Sequence, residues 1–414
     1  MKKKKKSIFK RIIVIIIIIF IAKGVLNQIG DDFTTSNDNG MITQDNSSED
    51  QDAASGSSQE ESAEEKTVYY YYNILTEDYR KKYIEIYNGI MNFDKKIMIG
   101  SISNDDLTKL VDMILSDHPE IFWLEGSYSY TNLAVAAFIA PNYTYDSQSA
   151  SSKQADIENA ESEALAAIND YIAESREEYA GNPAATDDFI TVKAVYDYVI
   201  NNTEYQKDVP DDQNLYSALV GGQTVCAGYA KETQYLLQKL GIQAVYVSGN
   251  VTESGPHAWN VVKCGDYYYN VDTTYGDRNF SNVENSESMP EILKPDYLYL
   301  CCTDSFLYSD RTSDDKENLP ECSMVDLDYY RISGLYFQIY DDTVIDYMVA
   351  AIKSGQHYWQ CRFSDAEPYN TMMNRMKNDN LYADMILRYS PDGIRKVSTC
   401  YFGDEKGLTI TMWY

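Results

Sequence analysis

Apolar and polar positions divide this chain into amphipathic segments behind one unbroken apolar run near the start. Apolar residues recur at helical spacing in the segments 77–92, 104–116, 155–178, 187–202 and 226–240. β-prone runs occupy 122–130, 244–248 and 257–272. The pattern therefore predicts a mixed α+β chain, with two long helices leading directly into the segment that carries the candidate chemistry.

The last part of the chain repeats this mixture on a smaller scale. The segments 335–340, 358–363, 397–402 and 408–413 are typical of strands, and 343–353 and 369–377 are typical of helices. No catalytic set of residues stands among them. We expect a small C-terminal α/β domain.

The start of the chain has the character of an export signal. Lysines occupy positions 2–6, and the apolar run 12–22 follows. A cationic start before a short apolar run is typical of a signal peptide, and an uncleaved membrane anchor fits nearly as well. A buried cytosolic helix is a third reading. Residues 29–66 are acidic and polar with almost no large apolar residues, so we expect a disordered linker there.

The length of 414 residues and the apolar content of 44% predict more than one folded unit. The expected organisation runs in chain order: a signal peptide or membrane anchor over 1–28, the linker over 29–66, an N-terminal α+β accessory domain over 67–152, a catalytic domain over 153–310, a linker over 311–324 and the C-terminal domain over 325–414.

Charge and cysteine content limit the classes of function. The net charge of −29 disfavours binding to nucleic acid and suits an exported protein on the outer face of a membrane or in the medium. Seven cysteines are an odd number, so at least one thiol stays unpaired. The chain has only three histidines and no EF-hand spacing. No metal site and no cofactor are predicted.

Cys226 is the candidate nucleophile. It stands at the start of the amphipathic segment 226–240, which Gly241 can end. Free amides and the helix dipole at such a position favour a thiolate and can also hold an oxyanion. A small core cysteine is the alternative reading of this residue taken alone.

His257 and Asp272 lie on the two strands of a predicted β-hairpin. Gly265-Asp266 suits a two-residue turn, and that register places both side chains on the same face as diagonal neighbours about 7 to 8 Å apart. The Asp can then orient the imidazole, which takes the thiol proton. A turn histidine and a strand-end aspartate are the alternative readings.

Three motifs resemble those of the transglutaminase-like superfamily in wording and order: Cys226-Ala227-Gly228-Tyr229-Ala230, His257-Ala258-Trp259-Asn260 and Asp272-Thr273-Thr274. The resemblance covers about residues 185–300. It implies a papain-like core, in which a helix bearing the Cys packs on an antiparallel sheet bearing the His and Asp. It also implies Cys226 as nucleophile, His257 as base and Asp272 as orienting group. Thr273 departs from relatives that carry proline there. Gln223 is a weak candidate for a side-chain oxyanion donor.

The expected activity is acyl transfer from a protein or peptide amide through a thioester, completed by an amine or by water. Cell-wall or surface proteins are candidate partners, together with the membrane through the N-terminal segment. Two alternatives remain open: a catalytically silent surface protein that keeps the fold, and a carbohydrate-binding module built on the 38 tyrosines.

Overall fold

A computed structural model describes residues 68–133, 136–278, 294–397 and 399–414. The predicted signal or anchor segment and the acidic linker lie outside these ranges. Within them, none of the helices combines the length and the apolar character needed to cross a bilayer.

The N-terminal unit is a small α+β assembly. Its elements are α1 (Tyr70–Ile74), α2 (Glu77–Met91), β1 (Ile97–Met98), α3 (Asn104–Asp117), β2 (Leu124–Leu133) and β3 (Ala136–Tyr143). The strands form an antiparallel sheet in the order β1-β3-β2. The two predicted helices are confirmed with ends within one residue, because Ser103 caps α3 and acidic residues occupy the first turn of both helices.

The central region contains the candidate chemistry. Its elements are α4 (Ser147–Glu178), α5 (Asp187–Asn202), β4 (Glu204–Tyr205), a π-helical turn (Tyr216–Val220), β5 (Gln223–Thr224), α6 (Cys226–Lys239), β6 (Ala244–Val251), β7 (Gly255–Cys264), β8 (Tyr267–Val271), α7 (Thr273–Gly276), α8 (Asp304–Leu307) and β9 (Arg311–Ser313). The sheet has the order β8-β7-β6-β9 and every described pair in it is antiparallel. The predicted α+β class, with the Cys-bearing helix packed on this sheet, is confirmed.

Small residues bring the start of α6 close to its neighbours. A Cβ on Gly228 would lie 1.9 Å from Oγ1 of Thr224, so only glycine fits at this position. Ala227 and Ala230 pack against Ala258 on β7. The Asn260 side chain donates to the Ala230 carbonyl at 3.0 Å and ties the helix to the same strand.

The segment 311–324 differs from the linker predicted there. Arg311–Ser313 pairs with β6 as the edge strand of the central sheet, and the Arg311 side chain is fully buried. Cys322 is also buried. The sequence pattern missed this strand because three residues are too few to show alternation.

The C-terminal unit has a hydrophobic core of its own. After α9 (Tyr329–Ile332) come β10 (Tyr336–Phe337), α10 (Asp342–Lys353), β11 (Tyr358–Phe363), α11 (Ala366–Asn378), α12 (Leu381–Tyr389), β12 (Cys400–Asp404) and β13 (Thr409–Trp413). The sheet order is β10-β11-β13-β12, with β10 and β11 parallel. The predicted strand 335–340 is reduced to two residues, and α12 was not predicted.

The N-terminal unit and the central region share one continuous core, which extends from Tyr70 to Ile332. The side chains of Gln234 and Gln238 on α6 donate to the carbonyls of Ser116 and Asp117 at 2.6 and 2.9 Å. Those carbonyls end α3 and have no partner within their own helix. The helix that carries Cys226 therefore also binds the last two carbonyls of α3.

Glu232 is a buried acid on α6. Its carboxylate accepts from the Thr203 hydroxyl at 2.8 Å, and burial raises its pKa to about 7 against the weaker opposing effect of that bond. The unfolded-state pKa of a glutamate is about 4.3. Because the folded pKa is the higher one, the stability that this group contributes is present below pH ~4 and is lost as the pH rises through about 7.

The substitution Glu232→Gln should therefore raise the free energy of unfolding at pH 8 by an amount on the order of 1 kcal/mol and change it much less near pH 5. Urea unfolding at the two pH values measures both effects. Glu253→Gln, at an exposed glutamate, is the matched control and should have no effect. An equal gain for Glu232→Gln at both pH values would contradict the assignment.

Candidate active site

Cys226 is the first residue of α6, as the sequence predicts. The residue before it, Val225, has no side chain able to cap the helix, so the first amides of α6 remain available to a ligand. The Cys226 side chain is partly exposed, whereas the other six cysteines are buried. The accessible thiol of this chain thus stands where a helix favours negative charge.

The β7–β8 hairpin has the predicted register. Cys264 pairs with Tyr267 around the turn, and the ladder ends at the pair of Asn260 and Val271. Gly265 has a φ of 59°, which glycine adopts readily at the first position of a tight hairpin turn. Asp272 therefore lies one residue beyond β8. It is the N-cap of α7, where its Oδ1 accepts from the Tyr275 amide at 3.0 Å.

The structure brings Cys226, His257 and Asp272 together. Nε2 of His257 lies 2.8 Å from Oδ2 of Asp272. The thiol of Cys226 lies within hydrogen-bonding reach of the same imidazole. With Nε2 engaged by the carboxylate, Nδ1 is the ring nitrogen left for the thiol. The arrangement is that of a thiol, a base and an orienting carboxylate.

Electrostatics favours the charged form of the pair. Burial of His257 would lower its pKa, but Asp272 and Cys226 outweigh burial and raise the pKa to about 9. Burial likewise opposes ionisation of Asp272, yet His257 and Arg311 hold the pKa of its carboxyl below the usual range. At neutral pH the site contains an imidazolium between the thiol and a carboxylate. A cation at that position stabilises a thiolate.

Arg311 is the residue of this site that the sequence did not reveal. Its Nη1 lies 2.5 Å from Oδ2 of Asp272, the oxygen that His257 also contacts, and both side chains are completely buried. The guanidinium also lies 4.6 Å from the centre of the Tyr275 ring. Arginine follows Asp272 by 39 residues in a stretch whose polarity is typical of a loop, so no local signal identified it.

The Gln223 side chain, the candidate oxyanion donor, lies exposed on β5, three residues before Cys226. Its amide donates to the Glu204 carboxylate at 2.9 Å. One amide hydrogen is therefore already engaged on the neighbouring strand β4. In the first turn of α6 the amides of Gly228 and Tyr229 donate to the Val225 carbonyl, which leaves those of Cys226 and Ala227 as the backbone donors that need no such rearrangement.

The other two histidines lie outside the site. His118 is buried, with Nδ1 2.8 Å from Glu120 and its ring stacked on Tyr87. His357 is half-exposed beside Asp392 in the C-terminal unit. No group of three or more His, Cys, Asp or Glu side chains is placed to bind a metal within the described ranges.

A cleft of about 450 Å³ lies between the N-terminal unit and the central region. Its lining includes Tyr71 and Met113 from the N-terminal unit, Lys231 from α6, and Tyr246 and Ser248 from β6. Tyr246 lines the cleft and also lies near Cys226. Burial raises the Tyr246 pKa to about 12, and the nearby Cys226 adds to that rise. The N-terminal unit therefore forms one wall of this cleft.

Iodoacetamide should modify Cys226 before any other cysteine of the native protein. In the wild type the rate should already be high at pH 6 to 7 and change little up to about pH 9, where the His257 imidazolium loses its proton. In His257→Ala the rate should instead rise towards the free-thiol pKa of ~8.5. Peptide mass spectrometry after timed quenching measures the rates. His357→Ala is the control, and a wild-type profile in His257→Ala would show that this imidazole does not act on the thiol.

The comparison with protein-family profiles finds one family. A profile of the transglutaminase-like superfamily matches residues 177–273, a segment that contains Cys226, His257 and Asp272. No curated protein sequence matches the chain.

Similar solved structures include a candidate cysteine protease from Cytophaga hutchinsonii, at 21% identity over 26% of this chain and 37% of that one, with a TM-score of 0.20. A structure described as a TGase has 16% identity over 46% and 54% of the two chains and a TM-score of 0.22. Menin, whose structure reveals the binding site for the Mixed Lineage Leukemia protein, has 16% identity over 51% and 42% and a TM-score of 0.19. The alignments span about a third to a half of those chains. The comparisons thus show a match of residues 177–273, within the central region, to the transglutaminase-like superfamily.

Proposed function

We propose that this protein is a thiol acyltransferase or cysteine peptidase that attacks an amide of a protein or peptide substrate through Cys226. The observation that carries the proposal is the contact of an accessible thiol at a helix N-terminus with His257, which the buried Asp272 orients. That contact lies inside the segment of the transglutaminase-like superfamily.

The first half-reaction forms a thioester. The Cys226 sulfur attacks the amide carbonyl carbon, and the amides at the start of α6 stabilise the oxyanion. The His257 imidazolium then gives its proton to the departing nitrogen, the C–N bond breaks, and ammonia or an amine leaves. The substrate acyl group remains on sulfur, and His257 is neutral.

The second half-reaction regenerates the thiol. Neutral His257 takes a proton from an incoming amine or water, whose nitrogen or oxygen attacks the thioester carbonyl. The C–S bond breaks, the sulfur leaves as a thiolate beside the restored imidazolium, and a new amide or a carboxylic acid is released. The first half-reaction is the same for both acceptors, so it does not choose between transfer and hydrolysis.

The place of action is also part of the proposal. The cationic start, the apolar run 12–22 and the acidic linker after it support export, with the folded units tethered to the outer face of the membrane or released from it. Cell-wall or surface proteins are the candidate substrates in that location. The net charge of −29 disfavours nucleic acid as a partner.

A labelled primary amine offered together with a glutamine-rich protein should separate transfer from hydrolysis. Transfer places the label on the protein, while hydrolysis releases ammonia or a new amino terminus without labelling. Intact-mass analysis of the enzyme should reveal the thioester as an added acyl mass in the wild type. Cys226→Ala and His257→Ala should abolish turnover, since each removes a reacting group.

His357→Ala and Cys400→Ala are the matched controls, because they remove the same residue types from the C-terminal unit. Full turnover in Cys226→Ala would overturn the proposal. An inert wild type, with no acyl mass on any of the amides tested, would favour the alternative of a surface protein without catalysis.

The cleft should affect the binding of large substrates only. Ser248 is exposed on its wall, so Ser248→Trp should raise the KM for a protein substrate several-fold by filling part of the cleft. Alkylation of Cys226 by iodoacetamide should stay at the wild-type rate, because the small reagent needs no cleft. Steady-state kinetics and timed alkylation measure the two effects, with Ser305→Trp, exposed elsewhere on the central region, as the control. An unchanged KM would remove the cleft from the substrate path.

A further inference from the structure

The turn between β12 and β13 of the C-terminal unit lies near the candidate active site. Lys406 lies between β12 and β13, and its Nζ is 2.7 Å from Oδ2 of Asp310. The ammonium also lies 4.6 Å from the centre of the Phe306 ring. The lysine and aspartate side chains are only 28% and 32% exposed, so this ion pair is more shielded from solvent than an ordinary surface pair.

Asp310 contacts the buried Arg311 as well as Lys406. Oδ1 of Asp310 lies 3.0 Å from Nε of Arg311, and Nη1 of the same arginine lies 2.5 Å from Oδ2 of Asp272. The backbone carbonyl of Asp310 accepts from both the amide and the hydroxyl of Thr252, which fixes Asp310 against the end of β6. Alternating charges therefore connect Lys406 to the carboxylate that contacts His257.

Packing and backbone contacts also connect the turn that carries Lys406 to Asp272. A Cβ on Gly407 would lie 2.2 Å from Cδ1 of Leu298, so the turn rests directly on that side chain. Leu298 belongs to the 3-10 turn Tyr297–Tyr299, and the Tyr299 carbonyl accepts from the Asp272 amide at 3.0 Å. The turn itself is held by the bond from the Gly407 amide to Asp404 at 2.6 Å.

We propose that Lys406, Asp310 and Arg311 form a chain of charges through which the C-terminal unit positions Asp272, and with it His257. The inference rests on the proposed chemistry at Cys226 and gives the C-terminal unit a role in it. None of the three residues touches the reacting atoms, so they are positioning residues. Arg311 and His257 share Oδ2 of Asp272, and whatever strengthens one contact weakens the other.

Because Arg311 and His257 share Oδ2 of Asp272, each substitution should shift the His257 pKa in a definite direction. Lys406→Met leaves Asp310 free to draw Arg311 towards itself and removes a positive charge, so Asp272 holds the imidazolium more tightly and the His257 pKa rises. Asp310→Asn releases Arg311 to Asp272 and removes a negative charge, so the His257 pKa falls. Both shifts should be a few tenths of a pH unit, because the changes lie one and two contacts from Asp272 in a partly screened region.

Other titratable groups lie near Lys406, Asp310, Arg311 and Asp272, and their charge states could also affect the His257 pKa. Around Arg311 they are Cys302, Tyr275, Tyr299 and Tyr308, and around Asp272 they include Tyr196. Burial raises the pKa of the Cys302 thiol to about 12 and also raises the pKa values of Tyr196, Tyr299 and Tyr308. Those buried groups stay neutral across the range in which His257 titrates.

The experiment is a histidine titration of the folded chain by NMR, with isotope-labelled imidazole carbons. The chain has only three histidines, so their signals are assigned by His118→Gln and His357→Gln. Wild type, Lys406→Met, Lys406→Arg and Asp310→Asn are compared. The control is Lys239→Met, which breaks a similar ion pair with Glu161 over the ring of Tyr235.

We expect a His257 midpoint near 9 in the wild type, a higher one in Lys406→Met, a lower one in Asp310→Asn and a return to the wild-type value in Lys406→Arg. The same variants should move the pH profile of Cys226 alkylation in the same direction. Midpoints equal to those of wild type and Lys239→Met, or shifts of the same sign in Lys406→Met and Asp310→Asn, would overturn the inference.

The two proposals fail in different ways. A wild type whose His257 titrates near the ordinary ~6.5, with Cys226 no more reactive than a free thiol, would contradict the proposed function. A reactive Cys226 in the wild type, together with variants whose His257 midpoints equal that of the wild type, would contradict only the proposed role of the chain of charges. Arg311→Met is not needed for the decision, because removing a fully buried ion-pair partner risks unfolding the protein.

Discussion

The buried carboxylate of Asp272 is the interaction on which the candidate site depends. Its two oxygens receive the His257 ring, the Arg311 guanidinium and the Tyr275 amide, while its own amide bonds to the Tyr299 carbonyl. A buried charge is tolerated only where it is paired and hydrogen-bonded. These partners belong to β7, β9, α7 and the turn before residue 300, so the side chain of Asp272 fixes three segments around the base and its backbone amide fixes the fourth.

The sequence predicts much of this arrangement because its signals are local. The helix that begins at Cys226 follows from apolar spacing, and the hairpin register follows from two alternating runs around Gly265-Asp266. The shared side of His257 and Asp272 is a consequence of that register. The step of Asp272 out of the ladder into a helix cap was missed, because the preference of aspartate for a cap competes with strand pairing at a strand end.

The sequence pattern did not predict contacts between distant parts of the chain. Arg311 is far from Asp272 in sequence, and its three-residue strand carries too little pattern to be distinguished from a linker. Helix α12 was missed for a different reason: only two residues separate it from α11, and Asn380 turns the chain with a φ of 50°. Its buried Tyr382, Met385 and Ile386 do have helical spacing, so a closer count of that segment would have found it.

The glutamines of α6 that bind the last carbonyls of α3 have a consequence for the way the molecule folds. Since the core continues without a break from the first helix to α9, the N-terminal unit and the central region have no boundary at which one can melt while the other stays intact. They form a single cooperative unit, in which the wall of the cleft and the helix bearing the thiol are gained or lost together. The C-terminal unit has a core of its own and joins this cooperative unit through side-chain contacts such as the ion pair of Lys406 and Asp310.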